Sequence, residues 1–363
     1  MVVAALVLAA GGTQAGVIGR MMVETPAWRV GPMAMERAAV TAPPTGVVVT
    51  KVPPTRPRQI WHVVAQAPPG GNGSVKRPFD TIQKGLEAAY AGDVLLVHNG
   101  TYRTPFTTLR AGRPDAPIRI LGGGAQLIGN EQGRLVQILH SYVTLQHFSI
   151  AHADQLVWVQ GATGVKLLDN VIAHAASECV RIKFFSHHNE VAGNRISGCG
   201  ERDFNLVRNH KNGEGIYIGT APEQLYKNPV HTSDDSGNNW VHDNVITTPA
   251  ECVDIKEGAG QNLVNRNLCL GSKDPNGAGF SSRGKATIFV DNTSTGNAGA
   301  GIRLGGDAVS DGILSVVLDN RLVGNRGYGV KVMRQPQGRI CGNRVDRNSR
   351  GNTNGTADPA KPC

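Results

Sequence analysis

Asparagine returns along this chain in one repeated setting, flanked by short apolar runs. The copies are "LLDNVI" at Asn170, "AGNRI" at Asn194, "HDNVI" at Asn244, "NRNLC" at Asn267, "VDNTS" at Asn292, "LDNRL" at Asn320 and "CGNRV" at Asn343. The successive gaps are 24, 50, 23, 25, 28 and 23 residues, the 50 reading as one unit plus an insertion. A unit this short cannot bury its own apolar face, so its copies must stack on one another. Most copies are followed by a small-residue turn and a short strand: "ECVRIK", "EGIYIG", "ECVDIK", "AGFSSR", "AGIRLG" and "YGVKVM". Short strands and bends at this period predict an all-β chain wound as a parallel β-helix, one coil per repeat. Asn suits such bends because it tolerates left-handed φ, and stacked amides can hydrogen-bond from coil to coil. Asn292, although part of an Asn-Thr-Ser triplet, is therefore expected to be a buried ladder member rather than a glycan acceptor.

The segments "APIRILGG", "RLVQILHSYVTLQHFSI" and "QLVWVQGATGVKLLDNVI" extend the pattern upstream. About nine coils at the ~4.8 Å inter-strand spacing would make a rod on the order of 40 Å long. Ahead of them, Asp80 is placed to cap a helix over 81–91, with Gln83 completing a capping-box-like pair and Gly92 ending it. A strand, a short amphipathic helix and the strand in "DVLLVHNGTY" together read as an N-terminal end cap. Residues 1–16, a short apolar run closing on small residues, resemble a secretory leader, and the Pro-rich stretch 17–57 reads as a linker or arm. The β-helix domain then spans 58–363, and nothing in the sequence is long and apolar enough to span a membrane. A secreted monomer is expected.

Laying the strands over one another converts sequence into columns, because alternate residues point in and out. Val180, Ile216, Val253, Phe280, Ile302 and Val330 form one inward column; Ile182, Ile218, Ile255, Ser282, Leu304 and Val332 form another. The outward columns are Arg181, Tyr217, Asp254, Ser281, Arg303, Lys331 and Lys183, Gly219, Lys256, Arg283, Gly305, Met333. A basic stripe on one sheet is ordinarily a solvated surface. Like charges one rung apart repel, however, and Lys256 under Arg283 favours an anion lying across them. The formal charge of +9 also favours an anionic partner. An acidic polysaccharide fits better than nucleic acid, since no base-reading helix or RNA-binding signature is present. Glu178, Glu214 and Glu251 stack at the strand entrance, where oxygen-only ligands suit Ca²⁺, or where carboxylates simply cap bend amides.

The stretch "ECVDIKEGAGQNLVNRNLCLGSKDPNGAGFSSRGKATIFVDNTSTGNAGAGIRLGGD" resembles the polysaccharide lyase family that includes chondroitinase B and β-helix alginate lyases. The likeness lies in a Glu five residues before a Lys on one coil, an Arg before a Gly-containing turn on the next, and a Gly-Ile-Arg strand after it. It implies a right-handed parallel β-helix of the pectate-lyase-like superfamily, with Lys256 as base and Arg283 as its partner. It also implies Glu251 as a calcium ligand, to which Glu214 and Asp254 are added from the columns. The chain departs from the family at Pro249, where an acidic ligand is usual, and at Gly284, where a His is usual.

Such chemistry removes the proton beside a uronate carboxylate and expels the O4-linked sugar, so the carboxylate must be neutralised and the base uncharged. Arg283 and Lys183 would lower the pKa of Lys256, whereas Asp254 and Glu257 would raise it. Arg181, Lys183, Tyr217, Arg303 and Lys331 are the expected substrate-binding residues. The insertion after Cys199 and the loop "TAPEQLYKNPVHTSDDSGNNW" flank the Glu214 coil and could wall a groove. Two other readings are carried: a glycoside hydrolase using Asp254 with Glu214 or Glu251, and a non-catalytic glycan-binding or surface protein. Cys179 and Cys252 share a column two rungs apart, roughly 9–10 Å, too far to pair. Cys341 and Cys363 could fasten the tail over the last coil.

Overall fold

The computed structural model describes residues 57–363. The expected leader and all but the last residue of the arm lie outside the described residues. The remainder is a parallel β-helix whose coils contribute to three long sheets of eleven, nine and ten strands. The first sheet runs from Ile60–Val63 to Ile340–Cys341, the second from Phe106–Thr107 to Val330–Val332, and the third from Gly100–Tyr102 to Arg344–Asp346. Every pairing within these sheets is parallel, as a coil that returns to the same face one rung later requires; among the described residues the one antiparallel ladder joins the short strands Phe204–Asn205 and His210–Lys211.

Registers in the second sheet match the columns read from sequence. Val180 pairs with Ile216, Ile216 with Val253, Val253 with Phe280, Phe280 with Ile302 and Ile302 with Val330. The side chains of these two inward columns fill the interior from end to end, and most are fully buried. Among the described residues no helix is long and apolar enough to cross a membrane.

The repeated Asn forms the expected ladder, by a different local geometry. The left-handed residue is the one before it: Asp169, Gly193, Asp243, Arg266, Asp291, Asp319 and Gly342 all have φ between 53° and 69°. That reversal turns the Asn side chain inward. Asn194 Oδ1 then accepts from Asn170 N at 2.9 Å and Nδ2 at 3.1 Å, and the pattern repeats from Asn194 to Asn244, Asn267, Asn292, Asn320 and Asn343. Asn292 is 1 % exposed. Two shorter ladders close other bends, Asn189–Asn239–Asn262 and Asn297–Asn325–Asn348.

At the first rungs the helix is Ile82–Ala88, shorter than expected and capped by Thr81, whose side chain accepts from Lys84 N. Asp80 instead pairs with the Lys84 ammonium at 2.8 Å, and Gln83 reaches away to accept from Thr107 N. Ile82 and Leu86 bury against the first two strands of the first sheet. Three disulfides are present: Cys179–Cys199, Cys252–Cys269 and Cys341–Cys363. Cys179 and Cys252 thus each pair with another residue, and the tail is fastened as expected.

Asn244 carries a prediction. Its replacement by Ala removes the acceptor of Asn194 N and Nδ2 and the donor to Val191 O and His242 O. Each buried group left unsatisfied costs about 1–3 kcal/mol, so Asn244→Ala should lose at least about 3 kcal/mol of stability. Urea unfolding measures this, and an unchanged midpoint would contradict it.

Candidate active site

The outward columns of the second sheet are not a solvated face. Arg181 and Lys183 are each 3 % exposed, Asp254 2 %, Lys256 9 % and Arg303 8 %. The insertion supplies one wall, through the hairpin around Phe204–Asn205 and His210–Lys211; the 3₁₀ helix Pro222–Lys227 supplies another. Asp234, fully buried, anchors the second loop by accepting from Phe184 N, Phe185 N, Thr220 Oγ1, Ser236 N and Ser236 Oγ. With all five bonds holding loop backbone and side chains in place, Asp234 is structural.

Between these walls lies a cavity of about 500 Å³ lined by Glu214, Tyr217, Glu251, Asp254, Lys256, Arg283, Arg303 and Lys331. Eight of the ten predicted site residues therefore meet in one place. Arg181 and Lys183 line an adjoining cavity of about 340 Å³, and Gln224 and Asn212 border both. Two further residues of this second space, Arg134 and Trp158, escaped the sequence reading. Trp158 pairs in register with Arg181, so carrying the same column one coil upstream would have found it.

Inside the larger cavity, Lys256 Nζ lies 2.5 Å from Asp254 Oδ2, 3.9 Å from Glu214 Oε1 and 4.5 Å from the Tyr217 ring centre. Burial by itself lowers the pKa of Lys256, but the Asp254 and Glu214 carboxylates outweigh it and hold the ammonium protonated above its ordinary range. The sign left open by sequence is thus upward. Arg283 Nη1 meets Glu257 Oε1 at 3.1 Å and Asp307 Oδ2 at 3.7 Å. The repulsion inferred between Lys256 and Arg283 is therefore met by carboxylates of the chain itself. Tyr217 Oη is buried with no hydrogen-bond partner, and burial pushes its pKa up to about 12.

The carboxylates divide into two groups. Glu178 is taken by Arg181 at 2.6 Å, with Ser177 and Gln155 also donating to it. Burial opposes its charge, yet Arg181 keeps its pKa below the usual range. Glu214, Glu251 and Asp254 instead turn toward one another, with one oxygen of each within 4.8 Å of the others. Burial raises Glu214 to about 7 and Glu251 to about 8, and Asp254 Oδ1 is buried without a partner. Three carboxylates facing one another, one Asp254 oxygen among them unpartnered, form an oxygen-donor set that a hard divalent cation fits. Of the three stacked glutamates, Glu178 is excluded because Arg181 occupies it, and Asp254 takes the third place.

No family model matches the sequence, and a search of curated proteins finds no match. Solved structures do resemble it in fold. The alginate lyase of Paenibacillus sp. str. FPU-7 superposes with a TM-score of 0.66 at 18% identity, over 82% of this chain and 99% of that one. Pectate lyase Pel9A superposes with a TM-score of 0.58 at 14% identity, over 76% of this chain and 74% of that one. The architecture shared with these structures is the parallel β-helix.

Proposed function

We propose that this protein cleaves an acidic, uronate-containing polysaccharide by β-elimination, with Lys256 as the base and Arg283 as its partner. The observation that carries the reading is the meeting of Lys256, Arg283, Arg303 and Lys331 with three buried carboxylates in one open cavity on the long sheet. The solved folds it resembles include an alginate lyase and a pectate lyase, which accords with an acidic glycan as substrate. Three disulfides accord with secretion into an oxidising compartment.

In this reading Arg283, Arg303 and Lys331 orient the glycan by its carboxylates and hydroxyls, while Tyr217 and Arg181 bound the site on its upstream side. Lys256 Nζ receives the proton from the carbon beside the carboxylate, the new double bond forms to the neighbouring carbon, and the bond to the O4-linked sugar breaks. Lys256 is free to accept a proton only when the charge of Asp254 is drawn off elsewhere, since that carboxylate fixes its protonated form. Glu214, Glu251 and Asp254 would hold Ca²⁺, which supplies positive charge to the substrate carboxylate and makes the adjacent proton more acidic.

Two outcomes test this. Incubation with alginate, pectate, glucuronan and glycosaminoglycans, with calcium or chelator, should yield an unsaturated, ultraviolet-absorbing product from one of them. Lys256→Ala should lower that rate by about 10²–10⁴-fold, and undiminished turnover would remove Lys256 from the role. The second is thermal. Because the folded pKa values of Glu214 and Glu251, about 7 and about 8, lie above the ordinary carboxylate value of 4.5, their contribution to stability is complete below 4.5 and is lost progressively as pH rises from there through the folded values. In chelator the melting temperature should fall across that window. Calcium should raise it more at the alkaline end than at the acid end, and an equal shift at both ends in calorimetry would contradict a metal on these groups.

A further inference from the structure

Upstream of Lys256 the charges do not close. In the smaller cavity Arg202 holds both Asp154 and Asp203, at 2.6 and 2.8 Å, and Arg181 holds Glu178. That uses every carboxylate lining the space. Lys183 is left over: 97 % buried, it makes no side-chain hydrogen bond and no ion pair among the described residues, and its ammonium has only the Trp158 ring at 5.2 Å. The Asp234 charge attracts it but makes no ion pair with it, the Asp234 oxygens being hydrogen-bonded to neutral donors of the loop it anchors. Arg134 is in a similar position, lying 3.4 Å over Trp158 and bonded only to the neutral Gln155 and Gln137. Burial, with Arg181 nearby, pulls the Lys183 pKa down to about 8. A buried ammonium without a counter-ion is unfavourable, and such groups are ordinarily paired.

This space adjoins the one that holds Lys256: Gln224 and Asn212 border both, and at the border Arg181 Nη2 donates to Gln224 Oε1 at 2.9 Å. Lys183 and Lys256 stand in one column with Gly219 between them, as the bonds from Gly219 N to Ile182 O and from Lys256 N to Ile218 O show. Gly219 has φ +90°, and a Cβ there would press on Ala259 Cβ at 3.0 Å and Lys256 Cβ at 3.4 Å. Position 219 therefore places no side chain of the column itself between the two lysines. They are two rungs apart, about 10 Å, a span on the scale of a disaccharide.

We infer that the Lys183–Arg134 compartment is a second anion site, which takes a carboxylate of the same glycan chain that lies across Lys256. The identity of that chain rests on the polyuronate reading above; the anion site itself rests on the unpaired cations. Trp158 is not a sugar platform in this arrangement, because Arg134 already covers its ring. The consequence is selectivity for acidic residues in series, since a chain acidic only at the cleaved unit would leave Lys183 unpaired.

The test is calorimetric titration of the full chain carrying Lys256→Ala, which prevents turnover, with di- and tetrasaccharides of mannuronate, galacturonate and glucuronate. One tetrasaccharide should bind at least tenfold more tightly than its disaccharide. Adding Lys183→Met should abolish that preference while Lys183→Arg retains it. Without ligand, Lys183→Met should melt no lower than the parent, since it removes a buried unpaired charge; a lower melting temperature would assign Lys183 a structural role and overturn the inference. An unchanged tetrasaccharide preference in Lys183→Met, or no binding of any oligomer, would overturn it too. Lys183-dependent binding without unsaturated product from the wild type would instead sink only the lyase reading.

Discussion

A buried amide at each bend sets the register on which everything else depends. A parallel sheet has no hairpin to fix which residue meets which, and a slip of one residue would turn every side chain to the opposite face. Here the residue before each ladder Asn reverses the chain through a left-handed conformation, and the amide then binds the backbone of its own coil and of the one before, and the Asn side chain of the next. Coil length can vary between bends, because insertions leave the ladder untouched. The 50-residue step from Asn194 to Asn244 is bridged by the same bonds as the 23-residue steps. That tolerance lets the chain build two cavity walls without disturbing the sheet beneath them.

The same register explains how a sheet face can bury so much charge. In one column Trp158, Arg181, Tyr217 and Asp254 follow one another, with Arg134 and Lys256 reaching in from beside it. Arg134 lies over Trp158, Arg181 over Tyr217 at 3.5 Å, and Lys256 over the same Tyr217 ring. Cations and rings thus alternate, so each ring face attracts a charge while keeping its neighbours apart. Side-chain carboxylates then settle Arg181, Lys256 and Arg283 individually.

The fold and the outward columns were legible because a period of two and a near-constant coil length are written directly into residue spacing. The columns put Asp254, Lys256 and Arg283 outward on one sheet and stacked Glu214 and Glu251 at its strand entrance, while the family resemblance singled out Lys256, Arg283 and Glu251 among them. Other features depend on distances that spacing does not encode. Whether Glu178 faces a cation or Arg181 turns on a rotamer, and so does the pairing of Lys256 with Asp254. The helix is capped by Thr81 rather than by Asp80, whose carboxylate pairs with Lys84 instead. Asp234 could not be singled out by sequence, since its five donors come from three separate stretches of chain brought together only by folding.

A stack of identical rungs has no intrinsic length, and its last strand presents the same unpaired backbone groups that each earlier strand offered to its successor. The C-terminal residues occupy those groups. Asn352 O and Asn354 Oδ1 accept from Val330 N and Val332 N, Pro359 O from the end of the long ladder at Asn343, and Lys361 O from Gly342 N, with Cys363 tied to Cys341. The tail therefore imitates the next coil, and its bonds cover backbone groups through which a further strand could otherwise add.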